Sequence, residues 1–167
     1  MADTVRITAL DEQHDRSSFA SGSDALDRYF KTQASQDLRR RIATCFVAVS
    51  DETDEIVGYY TLAATNIALT DLSPATAKKL PRYPTVPAVL LGRLAIAKSH
   101  QGRGLGSVLL VDAIKRCSRA ELGIFAIVVD AKDEGAQRFY EHFGFSLLPG
   151  AGRRLMLPMN EALRNLG

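Results

Sequence analysis

The sequence predicts an α/β fold, a mixed sheet within a single domain spanning residues 1–167. Three observations carry that expectation. Apolar runs with strand character alternate with segments that keep a 3.6-residue apolar period. A glycine-rich turn, His100-Gln101-Gly102-Arg103-Gly104-Leu105-Gly106-Ser107, joins a buried strand to a helix. The chain has 167 residues, 46% hydrophobic and 24% charged, long enough for one full core and short for two.

Val5 to Leu10 alternates and reads as a first strand. A polar loop leads to Ser23, a helix N-cap, after which Leu26, Tyr29, Phe30, Gln33, Ala34 and Leu38 keep helical spacing. This predicts one helix ending near Arg39-Arg40-Arg41. Thr44 to Ser50 is a strand, Asp51 to Asp54 a hairpin turn, and Ile56 to Ala68 a long returning strand. Ser73-Pro74 starts a short helix over Ala75 to Leu80, with Pro at its first position. Pro81, Pro84 and Pro87 hold an extended connection into a strand over Ala88 to Ile96. Beyond the glycine turn, Leu110, Ala113, Ile114 and Cys117 mark a helix, and Ile124 to Asp130 the next strand. Asp133 caps a helix carrying Ala136, Phe139, Tyr140 and Phe143, which Gly144 stops. Phe145 to Leu148 and Leu155 to Leu157 read as short strands before a helical tail. No repeat, low-complexity run or interdomain linker interrupts the order. Gly92 suits a bulge in its strand.

Net charge is +2, too small to imply nucleic-acid binding without local clustering of Lys and Arg. Cys45 and Cys117 fall in apolar segments and read as buried free thiols, and no Cys/His spacing suggests a metal. The N-terminus lacks the pattern of a signal peptide, and no run approaches the roughly 18 apolar residues of a membrane span. A cytoplasmic protein is expected.

The turn itself predicts an anion site. Closely spaced glycines let the backbone approach a ligand, and the first amides of the following helix point outward at its positive end. Two familiar phosphate motifs fail on spacing. A P-loop needs Lys-Ser/Thr after its last glycine, whereas Ser107-Val108 follows Gly106. A dinucleotide fingerprint needs one more residue between glycines and an early position in the chain.

The turn does fit Gln/Arg-x-x-Gly-x-Gly, here Gln101-Gly102-Arg103-Gly104-Leu105-Gly106. Downstream, Asp133 to Phe145 resembles the pattern Asn-x-x-Ala-x-x-x-Tyr-x-x-x-Gly-Phe. With the preceding Leu94-Ala95-Ile96 strand, these blocks resemble the GNAT acetyltransferases, most strongly over Val86 to Phe145. The resemblance implies the GNAT fold, a mixed central sheet splayed between two parallel strands and flanked by helices. It implies acetyl-CoA as acetyl donor and no metal. Its pyrophosphate would lie on Gln101, Gly102, Arg103, Gly104, Leu105 and Gly106, its pantetheine arm along Leu94, Ala95 and Ile96, with Asp133 and Phe139 nearby. Asp133 departs from the usual Asn. Either residue caps a helix, but the added charge weakens the case for contact with the cofactor.

Tyr140 shares an apolar stripe with Ala136, Phe139 and Phe143, and spacing alone would make it a core aromatic. The resemblance instead implies a general acid that protonates the departing CoA thiolate, while an amide near Leu94 to Ile96 polarises the acetyl carbonyl. No base is legible; Glu141, His142 and Asp130 all have equally good surface or capping roles. Arg93 stands in an apolar strand, where it either closes a salt bridge or lines the cleft.

The stretches Phe19 to Phe30, Gln36 to Arg41 and Val86 to Ala95 resemble one GNAT branch, the toxins of bacterial toxin–antitoxin pairs. That resemblance implies acetylation of the α-amine of aminoacyl-tRNA, which blocks translation. It implies a ribbon-helix-helix antitoxin as partner, promoter DNA bound only through that complex, a homodimer, and no membrane association. Arg39, Arg40, Lys78, Lys79, Arg82 and Arg93 are then the candidate tRNA contacts; Arg41, Arg153 and Arg154 extend the clusters. Basic residues at helix C-termini also simply complement the dipole. The alternatives are acetylation of a small amine or a protein N-terminus, and a non-catalytic acetyl-CoA-binding or DNA-associated regulatory subunit.

Overall fold

Seven strands form a mixed sheet: β1 (Val5–Ala9), β2 (Thr44–Ser50), β3 (Ile56–Ala68), β4 (Thr85–Ile96), β5 (Ala126–Asp130), β6 (Ser146–Leu147) and β7 (Arg154–Pro158). Their order is β1-β2-β3-β4-β5-β7-β6. The helices are α1 (Asp24–Thr32), α2 (Ala34–Arg39), α3 (Pro74–Ala77), α4 (Leu105–Ser118), α5 (Glu134–His142) and α6 (Met159–Asn165). The computed structural model describes residues 4–165. The chain divides into two compact units, one made of the residues up to Ala63 with Leu91–Ala113, the other of Ala64–Leu90 with the residues from Ile114 onward.

In the first unit β1, β2 and β3 pair antiparallel, Val5 opposite Ser50 and Thr44 opposite Leu62. The Asp51–Asp54 turn connects β2 to β3 as expected, and Arg6 on β1 pairs with both Asp51 and Asp54. A register shift between Ala48 and Val49 marks a bulge in this hairpin. Its core is aromatic: Phe30 stacks on Tyr59 at 4.3 Å, with Phe19 edge-on to both. Ser23 caps α1 as expected, accepting from the Leu26 amide, and Asp24 and Asp27 complement its N-terminus.

One helix was expected from Ser23 to Arg41, and two are found. Gln33 takes φ −116°, far from the helical value near −63°, so the chain bends between α1 and α2. The apolar period runs through the bend because Tyr29, Phe30 and Ala34 remain buried on both sides of it. At its far end α2 closes in a Schellman motif. Ile42 N–H donates to Asp37 O at 2.9 Å and Arg41 N–H to Leu38 O at 3.2 Å, with Arg41 at φ +58°.

In the second unit β4 and β5 run parallel, Ala88 opposite Ala126 and Leu90 opposite Val128. β5 continues antiparallel to β7 as far as Asp130 and Arg154. Ala126 to Val129 are wholly buried, which explains their continuous apolar run. Ile67, Leu72, Val86, Ala88, Leu148 and Met156 form one core cluster with Ala126 and Val128. β4 begins earlier than expected, at Thr85, and includes Pro87. This proline needs no amide, because its part in the pairing is a carbonyl that accepts from Phe125 N–H at 2.9 Å. α3 is shorter than expected, ending at Ala77; Ser73 caps it and Pro74 opens it.

Both cysteines are buried free thiols, and burial pushes Cys45 up to about 12 and Cys117 to about 11. Among the described residues no helix is long and apolar enough to cross a membrane.

Candidate active site

The glycine turn lies in the first unit, where β4 ends at Ile96. Ala97 N–H donates to Val57 O at 2.9 Å, and a single 3-10 turn over Lys98–His100 delivers Gln101. Gly102 and Gly104 take φ +79° and +80°. A Cβ at either would meet no protein atom within 4 Å, so the left-handed backbone, not crowding, demands glycine. Residues 101–104 are exposed. The first bond of α4 runs from Val108 N–H to Gly104 O, so the amides of Leu105, Gly106 and Ser107 precede any intrahelical acceptor. Three outward amides at a positive helix end, beside unhindered backbone, fit an anionic pyrophosphate.

The Gln101 side chain is structural: its amide donates to Ser21 O at 2.6 Å and Ile96 O at 2.9 Å. Ser21 is in turn tied to Asp27 of α1, its N–H and Oγ both donating to the carboxylate. Behind β4, a Cβ at Gly58 would lie 3.0 Å from Leu109 Cδ1 and 3.2 Å from Ala95 O. Glycine at this position therefore lets α4 and the Leu94–Ile96 backbone approach β3 closely. Tyr60 fastens the same helix, donating to Asp112 at 2.6 Å.

Arg93, also in this unit, makes no strand-edge salt bridge among the described residues. Its guanidinium carbon lies 3.4 Å from the Tyr29 ring centroid. Tyr29 donates its hydroxyl to Asp37 Oδ2 at 2.7 Å, and Gln33 Nε2 donates to Oδ1 at 3.0 Å. These hydrogen bonds, Gln33's first, hold the Asp37 carboxyl below its ordinary range, with smaller help from Arg93 and Arg40. Burial raises Tyr29 well above the ordinary tyrosine value. Arg39 and Arg40 are exposed at the end of α2. Sequence reasoning missed Tyr29 and Asp37; the helical spacing of Tyr29, Gln33 and Asp37 was the available signal, disguised by a core-like period.

The remaining candidates belong to the second unit. Tyr140 on α5 packs against Phe139 at 5.2 Å and Phe145 at 5.5 Å. Among the described residues nothing hydrogen-bonds its hydroxyl, and burial alone pushes its pKa to about 12. Asp133 caps α5, Oδ1 accepting from Ala136 N–H at 2.8 Å, which gives its carboxylate a structural role. Lys78, Lys79 and Arg82 are exposed around the end of α3. Arg154 is engaged, its Nε and Nη2 donating to the two Asp130 oxygens at 2.8 Å each, so Asp130 acts as a β5–β7 clasp.

A family model described as the acetyltransferase (GNAT) family matches residues 7–145. The chain belongs to the GNAT acetyltransferase family. It is 38% identical over 160 residues to the tRNA-acetylating toxin of Mycobacterium tuberculosis (strain ATCC 25618 / H37Rv), covering 95% of this chain and 94% of that protein. Among solved structures, AtaT complexed with acetyl-methionyl-tRNAfMet is 29% identical with TM-score 0.90, covering 98% of this chain and all of that one. A tyrosine-to-phenylalanine mutant of the toxin AtaT, bound to the C-terminus of the antitoxin AtaR and acetyl-CoA, is 26% identical with TM-score 0.80, covering 98% of this chain and 99% of that one. The mixed sheet with its parallel β4–β5 pair is thus the GNAT fold expected from the sequence.

Proposed function

We propose that the protein is a toxin that acetylates the α-amine of aminoacyl-tRNA and so blocks translation. The observation that carries this reading is the 38% identity, over nearly the whole chain, to a tRNA-acetylating toxin. The glycine turn and the Leu105 to Ser107 amides hold the pyrophosphate of acetyl-CoA, and the backbone of Leu94 to Ile96 receives its arm. When bound, acetyl-CoA supplies an activated acetyl group. The substrate amine attacks directly, so the protein needs no nucleophilic side chain of its own.

Tyr140 is the proposed general acid for the departing thiolate. What supports this is a hydroxyl without a hydrogen-bond partner among the described residues and a pKa near 12, which keeps its proton in place at neutral pH. Arg39, Arg40, Lys78, Lys79, Arg82 and Arg93 provide cationic contacts for the tRNA. Asp133 and Phe139 support the cofactor end of α5. Residues 1–167 work as one acetyltransferase domain in the cytoplasm, neutralised by a ribbon-helix-helix antitoxin that carries the complex to promoter DNA; the toxin itself is a homodimer.

The test offers acetyl-CoA with charged tRNA, free amino acids and an N-terminal peptide in parallel. A kcat/KM far higher for charged tRNA supports the reading. Transfer to free amines with none to charged tRNA overturns it.

A further inference from the structure

Arg93 is half-buried, and among the described residues no hydrogen bond or ion pair engages its guanidinium. Its guanidinium carbon instead lies over the Tyr29 ring, 3.4 Å from the centroid. The nearby Asp37 carboxylate bonds to other groups, Oδ2 receiving the Tyr29 hydroxyl and Oδ1 the Gln33 amide, and forms no ion pair with Arg93. A guanidinium carries five donors in a rigid fork, and withdrawing them from water without acceptors is unfavourable. Stability alone therefore gives a poor reason for this arrangement. A phenol that donates to a carboxylate has an enriched ring, which strengthens its hold on a cation. The stack fixes the guanidinium plane and leaves its donor edge unmatched. That geometry suits a tetrahedral oxyanion gripped by two parallel N–H bonds.

Position along β4 separates this anion from the one at the glycine turn. Arg93 precedes Ile96 by three residues, about 10 Å along an extended strand. It directly precedes Leu94, so its partner belongs at the reacting end and not at the pyrophosphate.

We propose that Arg93 is a phosphate fork for the 3′ end of the acceptor tRNA, with Tyr29 and Asp37 as the positioning residues that set its plane. This inference rests on the aminoacyl-tRNA reading above. Lysine at 93 keeps the charge but loses both the fork and the stack. Phenylalanine at 29 keeps a ring but releases it from Asp37.

The experiment measures steady-state acetylation of one charged tRNA by the full chain, varying each substrate and the salt concentration, with thermal unfolding as the check on folding. Arg93→Lys should raise KM for charged tRNA about tenfold and leave KM for acetyl-CoA unchanged. Arg93→Gln should also lower the slope of log(kcat/KM) against log salt by about 0.7, the contribution of one single-stranded phosphate contact. Tyr29→Phe should show a smaller rise in tRNA KM with the wild-type salt slope, a pattern that simple loss of packing does not give. If Arg93→Lys changes KM only for acetyl-CoA, the phosphate belongs to the donor and the proposal is overturned. Wild-type kinetics and salt slope in a folded Arg93→Gln protein overturn it as well. A wild-type protein inactive on charged tRNA removes the parent reading and this inference with it, an outcome distinct from an active wild type with unaffected variants.

Discussion

Gln101 donates its side-chain amide to the carbonyl of Ile96 at 2.9 Å, folding the glycine turn back onto the end of β4. The same amide donates to Ser21 at 2.6 Å, so one side chain ties together the strand, the turn and the approach to α1.

Replacing this donor by an acceptor should be worse than removing it. Gln101→Glu sets a carboxylate against two carbonyl oxygens, whereas Gln101→Ala leaves them to water. A loss of about 1 kcal/mol is expected for the Glu variant at this exposed site, with a raised KM for acetyl-CoA and a smaller effect for Ala. Urea unfolding and acetyl-CoA titration check both.

Gly58→Ala tests how closely β3 must approach the Leu94–Ile96 backbone. The added methyl would lie 3.0 Å from Leu109 Cδ1 and 3.2 Å from Ala95 O. The leucine end can swing aside; the carbonyl moves only with its strand. Overpacking of this kind costs about 1–3 kcal/mol. The expected outcome is a lowered Tm together with a fall in kcat/KM.

Arg41 holds φ +58° in the Schellman closure of α2, where glycine is the usual residue. Arg41→Gly should therefore stabilise the protein by about 1 kcal/mol, measured as a higher urea midpoint at unchanged slope.

The pH dependence follows from Tyr140. Burial opposes the phenolate, so its pKa rises to about 12 and the neutral, proton-bearing form prevails below that. As a general acid it stays competent where ordinary tyrosine, near 10, begins to ionise. Activity should rise as the substrate α-amine loses its proton near 7.7–8.0, then stay level to about pH 10. Tyr140's contribution to stability is complete below about 10 and lost as pH climbs through about 12. Tyr140→Phe should lower kcat by about 10²-fold or more with acetyl-CoA affinity retained.

Much of this was legible in the sequence, for identifiable reasons. β3 was read with its observed bounds because a β-rich apolar run ends in turn residues on one side and Leu69-Thr70-Asp71 on the other. Ser23, Ser73 and Asp133 were recognisable as caps because capping is local chemistry. The bend at Gln33 was hidden, since an apolar period survives a small change of axis. Pro87 was placed in the connection before β4 because sequence does not show which backbone group a strand position must supply. The Arg93–Tyr29 stack joins residues far apart in the chain, and only the fold brings them together.

The most direct measurement is mass spectrometry of the aminoacyl-adenosine released from charged tRNA after incubation with the protein and acetyl-CoA. One acetyl group on the α-nitrogen, formed about 10²-fold more slowly with Tyr140→Phe, is the predicted result. Unmodified aminoacyl-adenosine, from protein that transfers acetyl to free amines in the same buffer, would contradict it.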